Sequence, residues 1–218
     1  MMSAREKILG NIRRSLDRDS DRSLDSGALR ARTQAHARHL LPEFDEEPVY
    51  RFRQKMMAAH ATVSEVNSLT QVALEITGYL NDHDLAPEIV ISGEPLITQL
   101  SWPQDVIRVE QRLPRGSDTV SVTSALYGIA ETGTLMLVSG EQSATSLNFL
   151  PDYHIVVLPV EQMVLRMEDA WDGLRERFPT MPRTVNFISG PSKTADVEQT
   201  VEYGAHGPRC LHVILLRS

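Results

Sequence analysis

Two short stretches carry residue types that could do chemistry. The first, Ser189-Gly-Pro-Ser-Lys-Thr-Ala-Asp196, stands between an apolar strand-like run and a stretch of helical character. Gly190 permits close backbone approach or a positive φ, Pro191 stiffens the turn, and Ser192 or Thr194 can cap the helix that the following residues predict. Free N–H groups and the macrodipole at such a helix start attract an anion, and Lys193 adds a full positive charge. Phosphate or carboxylate is the implied ligand group. Asp196, in the first turn, partly cancels that pull. The glycine-rich spacing of a Walker A loop is missing, and the same residues also read as a well-capped helix with a solvent-facing lysine.

The predicted helix ends at Tyr203-Gly204, and His206 follows in Gly-Ala-His-Gly-Pro, a tight turn before the last strand. His206 is either an acid–base or donor group or a turn histidine bonded to backbone. The second stretch runs from Tyr127 to Val138, where Glu131-Thr-Gly133 precedes a strongly apolar strand. A carboxylate in a loop at a strand entrance could be a nucleophile or base, or could accept bonds from a neighbouring turn. His154, His206 and His212 have no helical i, i+4 pairing and Cys210 is solitary, so no metal site is expected.

The elements that must position these residues alternate between two periods. Ile8, Leu9, Ile12 and Leu16 fall at helical spacing, and residues 17 to 48 are then poor in large apolar side chains and rich in Asp, Arg and Ser. Residues 1–47 therefore read as a helical arm and linker, able to pack on a partner or to join two copies as a homo-oligomer. Residues 48–218 read as one α/β domain. Phe52, Met56 and Met57 suggest a helix, Ala61 to Val66 a strand, and Ser68 caps a helix with Leu69, Val72, Ile76 and Leu80 on one face. Strands follow at 88–92, 106–110, 120–123, 133–138, 154–159, 184–189 and 211–216, with helices between, including one from about Glu161 to Arg177. Short, near-continuous apolar strands separated by helices predict a mostly parallel sheet sandwiched by helices. Ligands of such sheets bind beyond the carboxyl ends of the strands, which is where the loop after Ile188 is expected.

Bulk properties narrow the function classes. The formal charge of −7 argues against nucleic acid as a partner, since phosphate binding draws on clustered Lys and Arg. One cysteine excludes an intramolecular disulfide and a cysteine-ligated iron–sulfur cluster carried by this chain alone. No apolar run is long enough to span a bilayer, and the first residues lack the apolar core of a secretory signal, so a cytoplasmic protein is expected.

GIAETGTLMLVSG (Gly128 to Gly140), LPDYHIVVLPVEQMV (Leu150 to Val164) and SGPSKTADVEQTVEYGAHGPRCLHVILL (Ser189 to Leu216) together resemble, in the same order, the LutC/YkgG family of lactate-utilisation proteins with the LUD domain. That resemblance implies a fold similar to the NagB/RpiA/CoA-transferase group and a part in oxidising L-lactate to pyruvate. It implies a non-redox accessory component beside two cysteine-rich iron–sulfur lactate-utilisation proteins (LutA- and LutB-like), with the clusters in those partners and no cofactor here. The family motifs fall on Glu131, Thr132 and Gly133, on Gly190, Ser192, Lys193, Thr194 and Asp196, and on His206 and Gly207. The resemblance supplies no catalytic mechanism. The residues themselves suggest an anion pocket made by the Ser192 to Asp196 helix start and the Glu131 loop, with Glu131 as the candidate catalytic group and the others as candidate ligand-binding residues. Many relatives carry Arg where this chain has Lys193, so the charge is kept while the bidentate fork is lost. The alternative is a free-standing enzyme of acyl/CoA-transferase or cyclo-ligase type with Glu131 as nucleophile or base.

Overall fold

The computed structural model describes residues 4–15, 27, 30–31, 43–195 and 201–217, and the chain divides into two units, Met1–Phe44 and Asp45–Ser218. In the first unit Ala4–Ser15 forms helix α1, on which Ile8, Leu9 and Ile12 are exposed.

In the second unit α2 (Pro48–Ala58) starts on proline, whose missing N–H costs nothing in a first turn, and the Glu47 side chain accepts the Tyr50 N–H at 2.9 Å. Val49, Phe52 and Met56 recur on its buried face. Strand β1 (Thr62–Val66) leads to α3 (Leu69–Asp82), capped by the Ser68 hydroxyl, which accepts from Gln71 N at 3.3 Å. β2 (Glu88–Ile91), the single turn α4 (Pro95–Thr98), β3 (Arg108–Gln111) and β4 (Val120–Ser124) follow. β5 (Tyr127–Ile129) and β6 (Thr134–Val138) make an antiparallel hairpin before β7 (Tyr153–Pro159). β8 (Met163–Val164), α5 (Met167–Arg177), β9 (Val185–Ile188), β10 (Lys193–Ala195), β11 (Val201–Tyr203) and β12 (Cys210–Leu216) complete the chain.

The main sheet has the order β1-β12-β7-β4-β2-β3, and every adjacent pair in it is parallel. β7 and β12 lie side by side near its centre, with Leu211 opposite His154 and Val213 opposite Val156. Because strand side chains alternate, Ile155, Val157, Ile214 and Leu216 enter a core with Val72, Ile76 and Leu80 of α3. Val156, Leu158, Val213 and Leu215 enter another with Phe52 and Met56 of α2 and Leu135 and Leu137 of β6. Phe52 and Met56 are 0% exposed, so truncating Phe52 to Ala would cost about 3–5 kcal/mol.

The mostly parallel α/β sheet with an N-terminal helix is as the sequence predicts, with three differences in detail. One face of the main sheet is covered by α2 and a second, four-stranded sheet, β8-β5-β6-β9, whose outer side carries α5 through Ile129, Met136, Ala170 and Leu174. β6 and β9 belong to that sheet and pair antiparallel, so the loop after Ile188 does not leave a parallel strand. The helix expected from Glu161 starts only at Met167. Val160–Gln162 is a 3-10 turn, Met163–Val164 pairs with Gly128–Ile129, and the Arg166 N–H, donating to Asp169 Oδ2 at 3.1 Å, opens the helix. The helix expected after Ser192 is replaced by an antiparallel pair, Lys193 opposite Tyr203 and Thr194 opposite Glu202, while Asp196 lies outside the described residues.

Two histidines interrupt the apolar central strands. His154 is 1% and His212 4% exposed, and their bonds go to hydroxyls: His154 Nε2 is 2.8 Å from Thr123 Oγ1, and His212 Nδ1 is 2.7 Å from Thr62 Oγ1. Burial pushes the His154 pKa down to about 3, and burial with a smaller contribution from His83 pushes that of His212 down to about 4. Glu75 Oε1, 3.7 Å from His212 Nε2, would favour the charged ring, but that carboxylate is partly exposed and burial outweighs it. Both rings stay neutral in the folded state while the unfolded chain takes up protons near the ordinary histidine pKa of about 6.5. Stability is therefore full above about pH 6.5 and is lost as pH falls from there through the two folded values. Urea midpoints should be lower at pH 5 than at pH 7.5, and equal midpoints would contradict the neutral, buried state of both rings.

Candidate functional site

A cavity of about 220 Å³ opens where the start of β7, the end of β9 and the turn before β12 meet. Its wall includes Asn148, Phe149, His154, Phe187, Ser189, Gly190, Ser192, His206, Gly207 and Leu211. Of the residues singled out in the sequence, Gly190, Ser192, His206 and Gly207 are thus brought together.

Local chain geometry explains the convergence. Gly190 has φ +147°, and a Cβ there would lie 2.8 Å from the Ala59 carbonyl oxygen, so only glycine lets the β9 exit pass the C-terminal end of α2. Ser192 is clamped on both sides, its N–H donating to Pro208 O at 2.8 Å and its carbonyl accepting from Gly204 N at 3.0 Å. This places the 204–208 turn over the cavity, with His206 exposed and Pro208 buried. Asn148 closes the 3-10 turn Thr145–Asn148, which Ser121 anchors by donating from Oγ to Leu147 O at 2.7 Å.

The Glu131 loop reaches the cavity through hydroxyl groups. Thr132 Oγ1 is 2.7 Å from Thr134 Oγ1, which is 2.7 Å from Ser189 Oγ in the cavity wall. Gly133 has φ +63°, and a Cβ there would lie 2.9 Å from Met56 N, so this loop too lies against the end of α2. Its Glu131 N–H donates to Leu165 O at 2.9 Å, which ties the β5–β6 turn to β8. The Glu131 side chain does not line the cavity. Nor do Lys193, which is exposed on β10, and Thr194 beside it.

The electrostatic character of the cavity comes from two residues that the sequence did not mark as ligand-binding, one of them, His154, weighed there only as a metal ligand. Asn148, 2% exposed, has an Oδ1 with no partner among the described residues, and the same is true of His154 Nδ1. Buried polar atoms are nearly always bonded, and one left unpaired costs about 1–3 kcal/mol. The signal for His154 as a cavity residue is its place as the one polar residue directly before the apolar run Ile155–Leu158. Asn148 gives no such signal, because a turn asparagine before Phe-Leu-Pro looks like ordinary punctuation. Two neutral buried groups, two serine hydroxyls and an exposed histidine make a wall that can donate to and accept from a small polar molecule, with Phe149 and Leu211 offering apolar contact. Asn148→Leu removes one unpaired polar atom, so its melting temperature should stay level or rise by a few degrees. A fall of more than about 5 °C would mean that Asn148 holds the fold rather than a ligand.

A family model described as LUD domain matches residues 30–216. A protein named Lactate utilization protein C from Anoxybacillus flavithermus is 36% identical over 167 residues, 72% of this chain and 74% of that one. Its namesake from Halalkalibacterium halodurans is also 36% identical, over 100 residues, and there the chain spans only 44% of the relative's length. Among solved structures, a DUF162 family protein from Deinococcus radiodurans superposes on 80% of this chain and 99% of its own, with a TM-score of 0.56 and 19% identity. That likeness shows a shared fold.

Proposed function

The chain belongs to the LUD-domain family, and from that premise we propose that it serves lactate utilisation as a non-redox component working beside iron–sulfur proteins, with the cavity at the start of β7 as its site for a small carboxylate. The observation that carries this reading is the pair of unpaired polar atoms, Asn148 Oδ1 and His154 Nδ1, in the wall of a cavity that the motif residues enclose. Lactate offers matching groups. Its hydroxyl donates to Asn148 Oδ1, its carboxylate accepts from the hydroxyls of Ser189 and Ser192, and its methyl fits against Phe149 or Leu211. A cavity of about 220 Å³ suits a molecule smaller than the drug-sized ligands of pockets of roughly 300–1,000 Å³.

Neutral His154 fits a binding role, because a ring held at a pKa of about 3 keeps one N–H and one lone pair and adds no charge for the ligand to offset. Lys193 and Thr194, next to Ser192 in the chain, draw an anion toward the cavity from outside it, and Thr132 with Gly133 fixes Ser189 from behind. The single cysteine, Cys210, cannot furnish a cluster, so the electrons pass to partners that can. An acyl-transfer enzyme with Glu131 as nucleophile would need that carboxylate in the cavity wall, where it is not found. The exposed apolar face of α1 is assigned to contact with another chain, a partner or a second copy.

A host that needs this gene for growth on L-lactate supplies the test. The wild-type chain should restore growth and co-purify with cysteine-rich partners, whereas Asn148→Leu and Ser192→Val should slow growth on lactate about tenfold and leave growth on glucose unchanged. Calorimetry should show L-lactate binding that both substitutions weaken by about 1–3 kcal/mol. Normal growth of both variants on lactate would remove the cavity from the reading, and purification free of any iron–sulfur protein would remove the complex.

A further inference from the structure

The second large cavity, about 580 Å³, lies at the opposite ends of the parallel strands. From β2 the chain moves outward to β3 at the sheet edge, then returns to β4 on the other side of β2 and continues through β7 to β12. The order of connection therefore reverses between β2 and β4. In open parallel sheets the crevice beyond the carboxyl ends at such a reversal is where ligands enter, because the loops leaving the two strands part to opposite faces there. The cavity is lined by the residues that leave β2 and β4, Glu94 and Ser124 to Leu126 among them.

Its chemistry is uneven in an informative way. Glu94 Oε2 accepts from Ser92 Oγ and from Ser124 N, each at 2.8 Å, so the carboxylate bridges the two strand ends and is held rigidly. Its Oε1 takes no part in either bond. Gln162 Oε1, also in the wall, is buried and has no partner among the described residues. The cavity thus presents one buried acceptor without a donor and a rigidly held carboxylate that can accept from a guest. Leu126, Val138 and Phe178 form an apolar wall, and Arg177, at the mouth, makes no ion pair among the described residues. Glu94 and Glu141 oppose that one cation, which suits a ligand with a single anionic group and disfavours a polyphosphate.

We propose that the cavity at the β2–β4 reversal binds a nucleoside monophosphate, its ribose diol on Glu94, a base N–H on Gln162 and its phosphate on Arg177. A nucleoside meets each requirement at once: vicinal hydroxyls that donate to a fixed carboxylate, a planar ring with N–H donors for an apolar wall and a lone carbonyl, and a size within the volume available. This site shares no residue with the cavity assigned to lactate, so the two readings stand or fall separately.

Calorimetry with the full chain decides it, using AMP, GMP, CMP and UMP, their nucleosides, ATP and inorganic phosphate as probes. At least one monophosphate should bind with a Kd below about 1 mM, and its nucleoside about tenfold more weakly. Arg177→Ala, on an exposed side chain, should erase that difference. Glu94→Gln keeps an oxygen for Ser92 and Ser124 and should weaken nucleotide and nucleoside alike, with L-lactate binding unchanged in both variants. Absence of heat with all four monophosphates at about 5 mM, equal binding of inorganic phosphate, or affinities untouched by Arg177→Ala would overturn the proposal. Should Glu94→Gln fail to fold, the Arg177 variant alone decides.

Discussion

Two adjacent strands that are apolar on both faces set the terms for everything else in this chain. β7 and β12 carry Ile155 to Leu158 and Val213 to Leu216 with almost no exposure, so neither side of the sheet can meet water. One side is closed by α3. The other is closed by α2 and by a second sheet, which brings β6 against the main sheet and leaves α5 to cover its own far side. Gly128 shows how close that second layer comes, since a Cβ there would collide with Leu158 Cδ2 of β7.

The same burial gives meaning to the polar residues that survive inside it. Where the strands enter, at Tyr153 and Cys210, side chains able to hydrogen-bond replace aliphatic ones: His154 toward α2, His212 toward α3, and Thr123 and Ser121 on β4. His212 is satisfied by Thr62 and Ser64 and stacks on Tyr79 at a centroid distance of 4.5 Å, a closed arrangement that anchors α3. His154 is satisfied on one nitrogen only. Chemically alike and one register position apart, the two rings therefore do different things, one completing a core and the other leaving a valence open to a cavity.

Much of the frame could be read from residue order, and the misreadings have physical causes. Strands buried on both faces announce themselves as aliphatic runs, and helices with capping residues such as Ser68 announce their starts, so β4, β7, β12, α2 and α3 were legible. Which sheet a strand joins is not a local property. Gly133 to Val138 reads as a buried strand whether its neighbours are parallel or antiparallel. After Ser192 the choice was between capping signals and β-branched Thr194 and Val201, and long-range clamps on Ser192 from Pro208 and Gly204 decided for strand pairing. Gly190 reads as a point of close approach or positive φ, while Gly133 enters only as a motif residue. What both permit is approach to the end of α2, a contact about 130 and 75 residues distant in the chain, which no window of sequence can display.

The run of hydroxyls from Thr132 through Thr134 to Ser189 responds to one kind of neighbour only. Each oxygen holds one proton and two lone pairs, so Thr134 can donate toward either end or accept from both. A guest that accepts from Ser189 removes that freedom: with the Ser189 proton engaged, Thr134 must donate to Ser189 and Thr132 to Thr134. A guest that donates to Ser189 leaves Thr134 able to donate to Thr132 or to accept from it. An acceptor in the cavity therefore sets the hydroxyl of Thr132, next to Glu131, without any atom heavier than hydrogen having to move.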